Sequence, residues 1–204
     1  MEIINQNYTK RCTEISDINE HISTLSYYAS KCNTVTECGM RSCNSTWGFM
    51  NGLTLSRGEN KRLVSVDLNY SPNVEVVKDA AKKVGINFIF MMANDLKIVI
   101  EPTDLLFIDS FHVYAQLKEE LRLHADKTKK YIILHDTEVD AEVGEAIRNG
   151  WNSQAIAVET GFDMEDINRG LWPAVVEFLE THPEWKLLIR FTNNNGLTVL
   201  ERVQ

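Results

Sequence analysis

The chain has 204 residues, 44% of them apolar and 25% charged, with a formal net charge of −8. That length and balance suit one globular domain with a sizeable core and argue against a disordered chain. The longest apolar runs, Leu105–Ile108 and Ile132–Leu134, are too short to span a bilayer, and an acidic chain repels nucleic-acid phosphates.

Residues 1–14 are polar and lack periodicity, so they read as an arm or lid; with the helix that follows they form a candidate N-terminal unit, 1–32. They carry no apolar segment behind basic residues, so a cytoplasmic chain is expected. Ser16 or Asp17 caps a helix running to about Ser30, with Ile18, Ile22, Leu25 and Tyr28 on one face. Thr34–Cys38 is a β-prone run ending at Gly39. Asn44 or Ser45 then opens a helix through Trp47, Met50 and Leu53. Strands follow at Leu63–Asp67, Asn87–Met91, Asp104–Ile108 and Tyr131–Leu134, separated by helices at Val74–Val84 and Tyr114–Ala125. Crossovers of that length imply parallel pairing, since a tight turn cannot reach a parallel neighbour. Residues 137–171 read as a long lid or substrate loop with a helical patch at Ala141–Arg148. After a helix at Trp172–Thr181, Lys186–Thr192 and Leu197–Val203 flank Asn193-Asn194-Asn195-Gly196, a turn that makes the last two strands an antiparallel hairpin. The expected fold is therefore a doubly wound, Rossmann-like α/β domain over 33–204. Its seven-stranded, mostly parallel sheet ends in an antiparallel hairpin, with helices on both faces. The four cysteines, Cys12, Cys32, Cys38 and Cys43, lack zinc-site spacing and read as reduced thiols.

Ligands of open parallel sheets bind beyond the carboxyl ends of the strands. Here those ends deliver Glu37-Cys38-Gly39, Asp67, Asn94-Asp95, Asp109 and His135-Asp136. The first loop has one glycine, which makes it a poor pyrophosphate cradle and argues against a dinucleotide-dependent oxidoreductase. Asn44, Ser45 and Thr46 instead suit a carboxylate at a helix N-terminus. Asp67 is placed to accept from ribose hydroxyls, Asn94 or Asp95 from an adenine amino group, and Glu37 to hold an amino group. A ligand with all of these parts is S-adenosylmethionine. His112 is the candidate general base, because an imidazole near pKa 6.5 accepts protons around neutrality. His135 competes for that role or orients Asp136. Trp151 is a candidate wall of the acceptor pocket. Glu142, Glu145, Glu159 and Asp163 read as a solvated face.

Three stretches carry a resemblance: Glu-Cys-Gly-x-Arg-x-x-x-Ser-Thr at 37–46, Phe-Ile-Asp-Ser-Phe-His-Val-Tyr at 107–114 and Ile-Leu-His-Asp at 133–136. They resemble class I S-adenosylmethionine-dependent methyltransferases, over about residues 33–203. Within that class they resemble one branch, that of macrocin O-methyltransferase, with cephalosporin-hydroxylase-like proteins nearby. The resemblance implies O-methylation of a small molecule, sugar or glycan, with a homo-oligomer in prospect and neither nucleic acid nor membrane as partner. It implies Glu37, Gly39, Arg41, Ser45 and Thr46 at the methionine end of the cofactor, Asp67 at the ribose, and Asn94 with Asp95 at the adenine. Asp109 is implied both beside the cofactor and in catalysis with His112 and His135. In metal-using relatives, acids after the fourth and fifth strands hold Mg²⁺ or another divalent cation, and those are Asp109 and Asp136 here. Thr137 stands where a third acid or an amide is usual, leaving Glu138 or His135 as substitutes. The alternative is a cofactor- or metal-binding relative that does not transfer methyl groups.

Overall fold

The computed structural model describes residues 1–203. Its sheet contains β1 (Thr34–Cys38), β2 (Arg62–Asp67), β3 (Asn87–Met92), β4 (Thr103–Ile108), β5 (Thr128–His135), β6 (Trp185–Phe191) and β7 (Leu197–Arg202), in the order β3-β2-β1-β4-β5-β7-β6. The pairs from β3 through β5 are parallel, and β7 runs antiparallel to both β5 and β6. The expected doubly wound architecture and its closing hairpin are both present. The hairpin turn places Asn194, Asn195 and Gly196 at positive φ, as the sequence demanded.

Helices α1 (Glu2–Thr13), α2 (Ile22–Ala29), α3 (Asn44–Leu55) and α4 (Asn73–Val84) share a core with Val35, Leu63 and Leu105. Helices α5 (Tyr114–His124) and α9 (Leu171–Thr181) share another with Leu106, Ile132 and Leu200. β4, buried at every position, lies between β1 and β5 at the centre of the sheet. Chain order reverses at β1 and β4, the switch point where such sheets open a crevice at their carboxyl ends. The loops after these two strands therefore define the site.

Three expectations differ from the structure. Residues 1–14 are not a loose arm: α1 packs beside α3 through Ile4, fully buried, with Ile3, Tyr8 and Cys12 against the core. Helix α2 starts at Ile22 rather than at residue 16 or 17, after a 3-10 turn at Asn19–His21. The Ser16–His21 strap is held by the hairpin turn. Asn194 Nδ2 donates to the Ser16 carbonyl, Glu20 N–H to Asn194 Oδ1, and His21 Nε2 to the Asn193 carbonyl, at 2.7, 3.0 and 2.9 Å. Finally, 137–171 contains three short helices, α6 (Glu145–Arg148), α7 (Ser153–Thr160) and α8 (Met164–Asn168), with Ala146 and Ile167 packed on Val113 and Ala115. Only the last four residues of the expected Ala141–Arg148 patch are helical. The Asp140 and Ala141 carbonyls are taken by the Leu171 and Trp172 N–H groups, which holds that stretch out of a helix. Among the described residues, no helix is long and apolar enough to cross a membrane.

Candidate functional site

The first loop is folded against its neighbours. Gly39 has φ +87°, and a Cβ there would lie 1.9 Å from the Asp109 carbonyl oxygen, so only glycine lets the loops after β1 and β4 meet. Gly39 N–H donates to the Val66 carbonyl and Asp109 N–H to the Cys38 carbonyl, at 2.9 and 2.8 Å. Asp67 ties the same loop from the β2 side. Its Oδ2 accepts from the Met40 and Arg41 N–H groups at 3.0 and 2.7 Å, and its Oδ1 accepts from Asn69 N–H at 2.8 Å. Glu37, Asp67 and Asp109 thus lie at one rim.

Their surroundings differ. Glu37 is fully buried, and its carboxylate accepts from Ser45 Oγ at 2.5 Å, Thr46 Oγ1 at 2.9 Å and Ser65 Oγ at 2.5 Å. Burial pushes its pKa up to about 7, against the hydroxyl donors that favour the charged form. Ser65 escaped sequence reading, though its register opposite Glu37 on β2 puts two polar residues together inside a buried sheet. The Arg41 guanidinium pairs with Asp17 at 2.6 Å. Asn94 is exposed and caps a 3-10 turn through Leu96 N–H at 2.8 Å, whereas Asp95 is buried and accepts from Gln116 Nε2 at 3.0 Å. The two candidate adenine partners therefore face different surroundings. Leu68 and Tyr70, past the tip of β2, and Met92, the last residue of β3, stay exposed.

The densest chemistry lies after β4 and β5. Asp109, His112 and Asp136 each bring one donor atom within 4.8 Å of the others. His112 Nε2 stands 3.2 Å from both Asp109 Oδ1 and Asp136 Oδ2, and His135 Nδ1 stands 3.1 and 3.0 Å from the same two oxygens. Asp136 adopts φ +56°, and its other oxygen accepts from Asn195 Nδ2 at 2.8 Å. Behind His112, Nδ1 lies 3.4 Å from Asp140 and 3.7 Å from Glu145. Glu145 also accepts from the His112 N–H at 2.8 Å, and Arg148 pairs with Asp140 at 2.5 and 2.8 Å. His135 Nε2 faces the Asp17 carbonyl at 3.2 Å. A carbonyl only accepts, so Nε2 carries hydrogen and Nδ1 turns toward two carboxylates. That arrangement is repulsive unless a proton or another cation stands between them.

Charge follows geometry. Burial opposes a charged His112, yet Asp109, Asp140 and Asp136 outweigh it and hold its pKa well above 6.5. For His135, burial is likewise overcome by Asp109 and Asp136, which raise it to about 10. Burial would lift the Asp109 pKa, but the two histidines hold it below the usual carboxylate range. A free base near neutrality, the sequence expectation for His112, is therefore not what these surroundings provide. Glu145 belongs to this cluster and not to a solvated face, and with Asp140 and Arg148 it was missed because its partner is distant in sequence. Glu138 lies off the cluster, paired with Arg190 at 2.9 Å. Trp151 is half-exposed and stacks on Phe111, ring centroids 6.4 Å apart. Beside the cluster, a small, partly open cavity of about 10 Å³ is lined by Ser110, Phe111, His112, Glu120 and His135, among others. Burial and the nearby Asp95 raise the Glu120 carboxyl well above its usual pKa.

No protein-family model matches the chain, and no curated protein matches it. Solved structures do resemble it. A Podospora anserina methyltransferase with S-adenosylhomocysteine bound aligns at TM-score 0.58 and 17% identity, over 100% of this chain and 89% of that one. A Bacillus cereus O-methyltransferase, also in complex with S-adenosylhomocysteine, aligns at 0.55 and 13%, over 99% and 90%. The O-methyltransferase TomG of Streptomyces achromogenes, involved in tomaymycin synthesis and in complex with S-adenosylmethionine, aligns at 0.55 and 12%, over 97% and 90%. The chain shares their fold over nearly its whole length. At these identities the likeness is one of fold.

Proposed function

We propose that the chain is an S-adenosylmethionine-dependent O-methyltransferase acting on a hydroxyl of a small molecule or sugar. The observation that carries this reading is the convergence of the Gly39 loop, Asp67 and the Asp109–His112–Asp136 cluster on one rim of a fold shared with cofactor-bound methyltransferases. Asp67 fits the adenosine end. It is partly exposed, and Oδ1 accepts a single N–H, which leaves lone-pair capacity for ribose hydroxyls. Exposed Leu68, Tyr70 and Met92 offer apolar surface for an adenine nearby. Glu37 supports Ser45 and Thr46 from below instead of touching the ligand, and Arg41 latches the loop to Asp17.

The cofactor supplies a methyl group on a sulfonium, an electrophile that needs alignment more than covalent help. Alignment of two reactants is worth about 7–11 kcal/mol of barrier. His112 takes a hydroxyl proton only once its own has gone and only while no cation occupies its Nε2, since three carboxylates surround it. Trp151, stacked beside the rim on Phe111, offers a flat face to a sugar or phenol ring. The acidic chain favours such acceptors over nucleic acid.

Calorimetry with S-adenosylhomocysteine tests this. The chain binds it, and Asp67→Ala weakens binding by roughly ten- to a hundredfold, the worth of charge-assisted hydrogen bonds. Asp67→Asn, which keeps an acceptor for the loop, weakens it less. No detectable binding by the unaltered chain removes the reading.

A further inference from the structure

The resemblance implies a divalent-cation site at Asp109 and Asp136 with Glu138 or His135 as a further ligand, and in the structure the side chains beside the two acids are nitrogen donors. The geometry points to a site for a divalent transition-metal ion of the manganese-to-zinc series, held by Asp109, His112 and Asp136 with His135 alongside, and selective against Mg²⁺. Four contacts argue for it. His112 Nε2 and His135 Nδ1 each lie 3.0–3.2 Å from the same two oxygens, Asp109 Oδ1 and Asp136 Oδ2. Donors bound to one ion at about 2.0–2.2 Å, at right-angled or tetrahedral spacing, lie about 2.8–3.6 Å apart.

Both outer nitrogens stand beside acceptors, and that of His135 is hydrogen-bonded. His112 Nδ1 faces Asp140, which Arg148 fixes in place, and His135 Nε2 faces the Asp17 carbonyl. Carboxylate or carbonyl partners on the far nitrogen are what orient metal-bound imidazoles. The near nitrogens are thereby both directed at the two acids. Asp136 is fixed by Asn195, and its left-handed backbone turns the carboxylate toward His112. Imidazole suits zinc, iron or nickel, whereas Mg²⁺ prefers oxygen and water, so the donor set decides the class of ion. The inference concerns the cluster alone and holds whether or not the chain transfers methyl groups.

The test uses the full chain freed of metal by a chelator. One Co²⁺ binds per chain and gives visible d–d absorption, and zinc binds more tightly than cobalt and cobalt more tightly than manganese. Bound Mn²⁺ shows nitrogen-14 modulation in pulsed electron paramagnetic resonance, and a large excess of Mg²⁺ does not displace it. His112→Gln lowers Co²⁺ affinity at least tenfold, and Asp140→Asn lowers it roughly 10–100-fold by freeing the far nitrogen. The unaltered chain carries the resonance measurement, so a variant that fails to fold does not decide the outcome. Mg²⁺ binding as tight as Mn²⁺ binding, Mn²⁺ without nitrogen modulation, or no metal binding at all overturns the inference. Binding of S-adenosylhomocysteine to the metal-free chain separates that result from the methyltransferase reading.

Discussion

Glu37 sets a measurable pH dependence on the stability of the fold. It is fully buried, with only Ser45, Thr46 and Ser65 hydroxyls around its oxygens, and its pKa rises from 4.5 to about 7 on folding. The folded state therefore binds a proton more tightly than the unfolded chain. The stability linked to that proton is fully present below pH 4.5 and is lost as pH rises through about 7. At about 1.4 kcal/mol per pH unit, the interval is worth about 3 kcal/mol. Glu37→Gln removes the titration and keeps the size, and the three hydroxyls can rotate to meet the new amide. The stability of Glu37→Gln relative to the natural chain should rise by about 3 kcal/mol between pH 4.5 and 8. In a domain of this length that amounts to a change of about 6–12 °C in the difference of melting temperatures. Thermal melts of both proteins across that range, followed by circular dichroism, measure it. A difference that stays constant with pH, or moves the other way, refutes the account of a charge held at a cost beneath the first loop.

Gly39→Ala should lower stability by more than about 2 kcal/mol in urea, because a left-handed alanine is strained and its Cβ overlaps the Asp109 carbonyl; an unchanged midpoint contradicts the packing of the two loops. Arg148→Ala leaves the fully buried Asp140 without its bidentate partner, and a loss of about 3 kcal/mol is expected in the same assay. Burial lifts the Cys32 and Cys43 thiols to about 12 and raises the Cys38 thiol as well, so a thiol reagent at pH 8 should label these three only on unfolding. Rapid labelling of more than one thiol in the folded chain, where only Cys12 is part-exposed, contradicts that burial.

The strands were legible because β1, β4 and β5 are short apolar runs closed by polar residues, and Asn193–Gly196 could hardly be anything but a tight turn. Helix α1 was not, since Ile4, Tyr8 and Cys12 make too narrow a stripe in a polar stretch. The rim residues were also readable, because strand order places every strand tip on one edge. What each does there depended on partners far along the chain. Glu37 meets Ser65 across a strand pair, His112 meets Asp140 and Glu145 from the late connection, and His135 meets the Asp17 carbonyl from the strap before α2. No local spacing encodes such meetings. They turned an expected free base into a clamped imidazole and an expected solvated acid into its support.

The central claim is that one rim holds both a nucleoside cofactor and a nitrogen-containing cation site. A crystal structure of the chain grown with S-adenosylhomocysteine and Mn²⁺ addresses both directly. The account predicts the ribose within hydrogen-bond reach of Asp67 and the ion on Asp109, Asp136 and His112. Adenosine seated on another surface, or an ion bound away from His112, would contradict it.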